Sequence, residues 1–244
     1  MNWLLALGVG FATAQLALYA TTVYLHRGLA HSALTLHPVA AFALRVVLWI
    51  TTGIRPRDWI GVHRSHHASV DTADDPHSPR TRGFWPVQLA NIVMYHRAVR
   101  DRARVARYTH DLEDNWLDRY VFDRETLGPL IGVGLLCLVL GWQTGLVAAA
   151  VHLVFYVGLN GSVNAIGHTS GRRPAKTTFA TNGVMLSLLT AGEGMHNNHH
   201  AVPTSARLAW RPFEVDPGWW LIRSLHATGL AKLRHPGGML AAAG

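Results

Sequence analysis

Three long apolar runs, rather than amphipathic alternation, organise this chain. The first, Trp3 to Leu25, carries no charge and is almost wholly apolar or small. A helix of that length crosses the roughly 30 Å of membrane hydrocarbon. A signal peptide would want a basic stretch ahead of it, and Met1-Asn2-Trp3 offers none, so the run reads as an anchor. The second run, Pro38 to Ile54, has Arg45 at its centre, where a charge is costly in lipid. The third, Leu127 to Ile166, breaks at Gly141–Gly145 and reads as a hairpin of two spanning helices with a short first arm. Gln88 to His110 reads as a basic helix lying in solvent or on the lipid surface.

Composition supports a membrane protein. Of 244 residues, 49% are hydrophobic and 15% charged, well below the roughly 25% charged residues of soluble proteins. The formal net charge is +8. Its distribution carries more information than its size. Apart from Arg45, every Lys and Arg lies at Arg27, between Arg55 and Arg124, or between Arg172 and Arg234. Positive-inside logic places those segments in the cytoplasm, with the N-terminus and the 141–145 turn outside. The expected architecture is all-α and one domain over residues 1–244. It has spanning segments at about 3–25, 126–142 and 146–166, an interfacial helix over Pro38–Ile54, and a cytoplasmic helical cap. No nucleic-acid partner is expected. The single cysteine, Cys137, excludes cysteine-based metal sites and Fe–S clusters.

Histidine is the anomaly, with sixteen residues. His26 and His31 are five apart, a spacing that does not share one face of an ideal α-helix but works where a helix ends, near Gly28. His63, His66 and His67 share one helical face, and His196, His199 and His200 repeat that spacing. Asn164 and His168 form an i,i+4 pair at the end of the last apolar run. The charge-derived topology brings all four groups to one membrane face. So many imidazoles would repel if protonated and would be costly to bury unpaired, and metal coordination accounts for both number and spacing. Imidazole suits Zn, Cu, Fe and Ni. Nine candidates point to two ions with four or five ligands each. His37, His96, His110, His152 and His226 lack partnered spacing and read as structural.

At these residues the chain resembles the membrane fatty acid desaturases, especially the acyl-CoA Δ9 branch in its bacterial type, without a cytochrome b5 domain. The H-x-x-x-x-H, H-R-x-H-H and G-E-G-x-H-N-x-H-H boxes of that branch read here as His26–His31, His63–His67 and Gly192–His200. Asp75–Arg80 resembles its D-P-H-x-x-R, and Asn164–His168 its N-x-x-x-H. The resemblance implies a di-iron, O2-dependent site. Its ligands would be His26, His31, His63, His66, His67, His168, His196, His199 and His200, with Asn164 holding a metal-bound water. His77 and Glu193 would stand behind the ligands. It also implies a fatty acyl thioester or lipid substrate, and electrons from a ferredoxin- or cytochrome b5-type donor with its reductase. The location would be a bacterial inner membrane, with the site facing the cytoplasm.

Where animal members have Arg-Asp before the second box this chain has Gly61-Val62, which leaves CoA, carrier protein and lipid open as the carrier. Hydroxylation, acetylenation and oxidative decarboxylation are alternatives on the same core; a histidine-rich metal transporter is the alternative of another class. Two motifs are set aside. His235-Pro236-Gly237-Gly238 imitates a cytochrome b5 haem segment. Gly8-Val-Gly10 and Gly132-Val-Gly134 lack the third glycine of a dinucleotide site.

Overall fold

The computed structural model describes residues 2–234. The His235–Gly238 motif lies outside the described residues. Helix α1 (Trp3–Ala20) opens on Asn2, whose side chain accepts from Leu5 N at 3.1 Å. It does not stop at Ala20. It continues over Thr21–Ala30 as a π-helix, so the helical run is 28 residues long. A short strand β1 (Leu34–Leu36) leads into α2 (Pro38–Thr52) and α3 (Pro56–Ala68). Proline at the first position presets both helices. Gly53, left-handed at φ 65°, ends α2, and the chain bends by 89° into α3. Then come α4 (Pro79–Arg82), α5 (Phe84–Arg100), α6 (Arg102–Tyr108) and a π-turn at Asp118–Phe122. The apolar hairpin follows as α7 (Leu127–Leu140) and α8 (Trp142–Ala165), with Gly141 alone as its turn. The cap closes with α9 (Val184–Leu189), α10 (His196–Ala201), α11 (Pro217–Ala227) and β2 (Ala231–Leu233), which pairs antiparallel with β1. That two-stranded ribbon is a small addition to the expected all-α fold.

Trp3–Ala30 and Trp142–His168 are long and apolar enough to cross a membrane. At 28 and 27 residues each reaches about 40 Å, some 10 Å beyond the hydrocarbon. His26 and His168 lie in their last turns, and His31 caps the first. The two helices run parallel. Gly10 meets Ala148 and Val151, and eleven residues on, Thr21 Oγ1 lies 2.9 Å from Tyr156 Oη. Ala14, Ala17 and Ala148 are buried along the seam, where small side chains let the helices approach. Parallel packing delivers both C-terminal ends to the same end of the bundle. The start of α1 and the Gly141 turn lie at the other.

The 14 residues of α7 make it shorter than either long helix. Its first turns lean on the last turn of α2, with Gly128 and Gly132 against the Trp49 and Ile50 carbonyls. The charge at Arg45 is met by Asp118 from the π-turn, and its guanidinium lies 4.2 Å from the Phe122 ring centroid. Partnered this way, a cation in the middle of an apolar helix is tolerable.

The α1–α8 seam has a direct test. A Cβ at Gly10 would collide with α8, whereas Gly8 faces open space. Gly10→Val is expected to destabilise the detergent-solubilised protein by about 1–3 kcal/mol, as overpacking does. Gly8→Val is expected to change stability by less than about 0.5 kcal/mol. Equal effects would refute the seam.

Candidate metal centre

The π-helical stretch solves the spacing of the first histidine pair. In a π-helix the backbone bond runs from residue i+5 to residue i, and His31 N donates to His26 O at 3.1 Å. Residues five apart therefore stack one above the other, and the two rings lie 5.0 Å apart. The sequence suggested a helix ending between them. Instead the helix continues with a wider turn. Gly28 fits it because a Cβ there would press on the Val23 carbonyl.

Helix α3 supplies His63, His66 and His67, and α10 supplies His196, His199 and His200. The i,i+4 pairs and the odd residues separate. His26, His31, His63, His67 and His199 form one set, and His66, His168, His196 and His200 another, with ligand atoms in each set within 4.8 Å of one another. All nine histidines picked out by spacing thus come together, in sets of five and four. The sets adjoin, since the His67 and His200 rings stack at 4.4 Å.

The imidazoles meet through their Nε2 atoms. His26–His199 and His168–His196 approach to 3.0 Å, His31–His63 to 2.8 Å, and His67–His199 to 2.9 Å. Three carboxylates explain this orientation. His66 Nδ1 donates to Asp75 at 2.9 Å, His168 Nδ1 donates to Asp71 at 3.1 Å, and His26 Nδ1 lies 2.8 Å from Glu193. A carboxylate only accepts, so His66 and His168 carry their protons on Nδ1 and turn an Nε2 lone pair inward. Lone pairs converging at about 3 Å repel, and a cation between them removes the repulsion. The donor set therefore fits a pair of imidazole-loving metal ions.

Burial, and then the neighbouring imidazoles, hold His196, His199 and His200 well below the ordinary histidine value. Burial, and then His66, pull His77 down to about 3. Burial alone would raise Asp75, but the His66 hydrogen bond and the charges of His66 and His77 bring it to about 2. Glu193 is also lowered: burial opposes ionisation, and His26 and Arg27 outweigh it.

His77 stacks on His66 at 4.6 Å, and Asn164 stands in a cavity wall with His66 and His196. Three of the other described histidines make local hydrogen bonds. His37 caps α2, His152 Nε2 donates to Thr51 O at 2.7 Å, and His226 Nδ1 donates to Ala231 O at 3.0 Å.

Sequence reading missed the frame around these ligands. Arg27, 1% exposed, donates to both Asp216 oxygens at 2.9 and 3.0 Å and to the Ala206 and Ala191 carbonyls. It ties the first box to the Ala191–Gly194 turn that presents Glu193. Gly192, at φ 104°, lies against that ion pair, where a Cβ would overlap Asp216. Asn182 Oδ1 accepts from Asn197 N and Asn198 N at 2.9 and 3.2 Å, capping the first turn of α10 from another segment. The two asparagines inside the third box were thus a usable signal. Asn197 Nδ2 donates to Ala175 O and Ala180 O, and Asn198 Nδ2 to Leu208 O and Glu214.

A family model described as fatty acid desaturase matches residues 1–227. The chain belongs to the fatty acid desaturase family. Among its relatives, icosanoyl-CoA 5-desaturase of Limnanthes douglasii is 31% identical over 230 residues, covering 94% of this chain and 64% of the relative. Delta-9 acyl-lipid desaturase 2 of Arabidopsis thaliana is 32% identical, covering 93% of this chain and 73% of the relative. The sn-1 stearoyl-lipid 9-desaturase of Synechocystis sp. is 35% identical, covering 72% and 54%. The chain thus spans roughly half to three quarters of these relatives' lengths. Membership makes it a membrane protein, and its clustered histidines form groups that could hold metal ions.

The histidine environment fixes a pH dependence. The folded-state values of His77, His196, His199 and His200 lie below the unfolded value near 6.5, so these groups bind fewer protons in the folded protein than in the unfolded chain. Stability is then lost as pH falls below about 6.5 and is flat above it. The metal-free protein is expected to show a thermal midpoint that drops steadily from pH 7 to pH 5. The Asp75 contribution is lost only below about pH 4, the unfolded carboxylate value. A midpoint that rises on acidification would contradict burial of neutral imidazoles.

Proposed function

We propose that this chain is an O2-dependent di-iron desaturase that introduces a double bond into a fatty acyl chain. One observation carries the reading: the two imidazole sets stand at the head of a long apolar cavity. That cavity holds about 1210 Å³, above the roughly 300–1,000 Å³ of ordinary small-molecule pockets. Its walls run along α8 from Asn164 to Leu146, about 27 Å, and include Val9, Leu16, Leu136 and Val139. The hydrocarbon core is about 30 Å thick and holds two acyl layers, so the cavity accommodates one long chain with room to bend.

One iron would be held by His26, His31, His63, His67 and His199. The other would be held by His66, His168, His196 and His200, with Asn164 placed to hold a bound water. Iron with O2 supplies the oxidising power to remove hydrogen from two unactivated methylenes, which no protein acid, base or nucleophile can do. The chain's own residues do the rest. Glu193, Asp75 and Asp71 aim the Nε2 donors. Trp59, stacked on His63 at 4.8 Å, closes the cavity wall beside the first set. The apolar walls exclude water and hold one stretch of substrate against the head of the cavity.

The acyl group would arrive as a thioester or on a lipid; acyl-CoA and acyl-lipid desaturases both occur among the relatives. Electrons would come in trans from a ferredoxin- or cytochrome b5-type protein with its reductase. Residues 1–244 would act as one unit in a bacterial inner membrane, with the site and its Lys and Arg segments on the cytoplasmic side and the N-terminus outside.

Expression in a host lacking its own desaturase, with mass spectrometry of total lipid, tests the reading. Wild type is expected to generate mono-unsaturated chains. His66→Ala and His199→Ala, one ligand from each set, are expected to fall to the level of the empty host while still inserting in the membrane. Wild-type unsaturation in either variant would remove the ligand assignment. Oxygen retained in the product would shift the reading to a hydroxylase, and loss of one carbon to a decarboxylase.

A further inference from the structure

The two imidazole sets differ in what stands behind them. In the set of five, a single carboxylate, Glu193, contacts a ligand ring, and it lies 3.8 Å from the Arg27 guanidinium. In the set of four, two rings are backed, His66 by Asp75 and His168 by Asp71. The Asp71 and Asp75 side chains are 3% and 0% exposed, and among the described residues neither has an Arg or Lys ion-pair partner. They belong to one loop and hold each other in place. Asp71 N donates to Asp75 Oδ2 at 2.8 Å, His77 N donates to Asp75 Oδ1 at 3.0 Å, and Ser78 Oγ donates to Asp71 Oδ1 at 2.5 Å. Asp71 takes a left-handed backbone, φ 59°, and meets His168 across 97 residues of sequence.

We propose that the Ser69–Ser78 loop is an anionic brace dedicated to the four-imidazole position, and that its two carboxylates make the two metal positions inequivalent. Asp71 and Asp75 are positioning residues. This rests on the di-iron reading above. A carboxylate on Nδ1–H raises the basicity of the same ring's Nε2 and fixes its aim. Two of them compensate the set that has one imidazole fewer. The five-imidazole position depends on ligand number and the four-imidazole position on charge, so neutralising the brace weakens one and leaves the other.

Asp71→Asn tests this with little disturbance of shape. Asparagine tolerates a left-handed φ, and its carbonyl accepts from the His168 Nδ1–H while its amide donates to Ser78 Oγ, so the charge is removed and one hydrogen bond reverses its direction. The full chain in detergent is loaded with ⁵⁷Fe and challenged with a graded ferrous chelator, while Mössbauer spectra follow each iron. Wild type is expected to hold two irons per chain with two distinguishable signals. Asp71→Asn is expected to release one iron at about 10- to 100-fold lower chelator concentration, with the second signal unchanged. Asp75→Asn is expected to act on the same iron, and Glu193→Gln on the other. An unchanged thermal midpoint of the metal-free Asp71→Asn protein separates this from misfolding. Loss of both irons together from a folded variant, loss of neither, or one signal answering to both Asp71→Asn and Glu193→Gln would overturn the brace. A wild-type protein that holds fewer than two irons would instead overturn the di-iron reading itself.

Discussion

Mutual repulsion of inward-facing imidazole lone pairs is the constraint around which this protein is built. Nine rings meet in two sets, several of them through nitrogens about 3 Å apart. Protonating them all is ruled out by like charge, and leaving them neutral opposes lone pair to lone pair. A positive ion in each set resolves both problems at once. Everything around the sets holds the rings in place: carboxylates that fix the tautomer, a buried Arg27–Asp216 pair that locks the cap to the first helix, and an asparagine that caps α10.

The backbone meets the same requirement in a different way. Parallel packing of α1 and α8 brings two helix ends to one level. A π-turn sets two of the ligands one above the other. Helices α3 and α10 each contribute to both sets, so the two positions are interleaved, and no separate lobe exists for either. The π-turn sits where such turns are often found, at a functional site.

Much of this was legible in the residues because metal ligation demands short, regular spacings on helices. His63–His67 and His196–His200 follow the helical period, and their outcome needed no knowledge of the fold. The Lys and Arg positions also leave the end of the bundle with the start of α1 and the Gly141 turn free of them. The partition into five and four was not legible. It depends on which face of α3 opposes which face of α10, a tertiary fact. Asp71 was missed for the same reason: its partner His168 is 97 residues away, and a lone aspartate in a polar loop looks like a turn residue. Arg45 was read correctly as a misfit in lipid, but its answer, Asp118, lies in a segment with no periodic pattern. The His26–His31 spacing was taken to mean a helix end, because a rare helix type has no sequence signature of its own.

Helix α7 has a consequence for the surrounding bilayer. Its 14 residues rise about 21 Å, against a hydrocarbon slab of about 30 Å. Where α7 faced lipid, with Leu130 and Leu138 exposed, acyl tails would have to shorten or tilt to meet it, while beside α1 they would not. The protein would thus impose an uneven thickness on its own annulus. Such mismatch costs a fraction of a kcal/mol per Å, enough to bias the protein toward thin or fluid patches. Those are the regions where unsaturated chains collect.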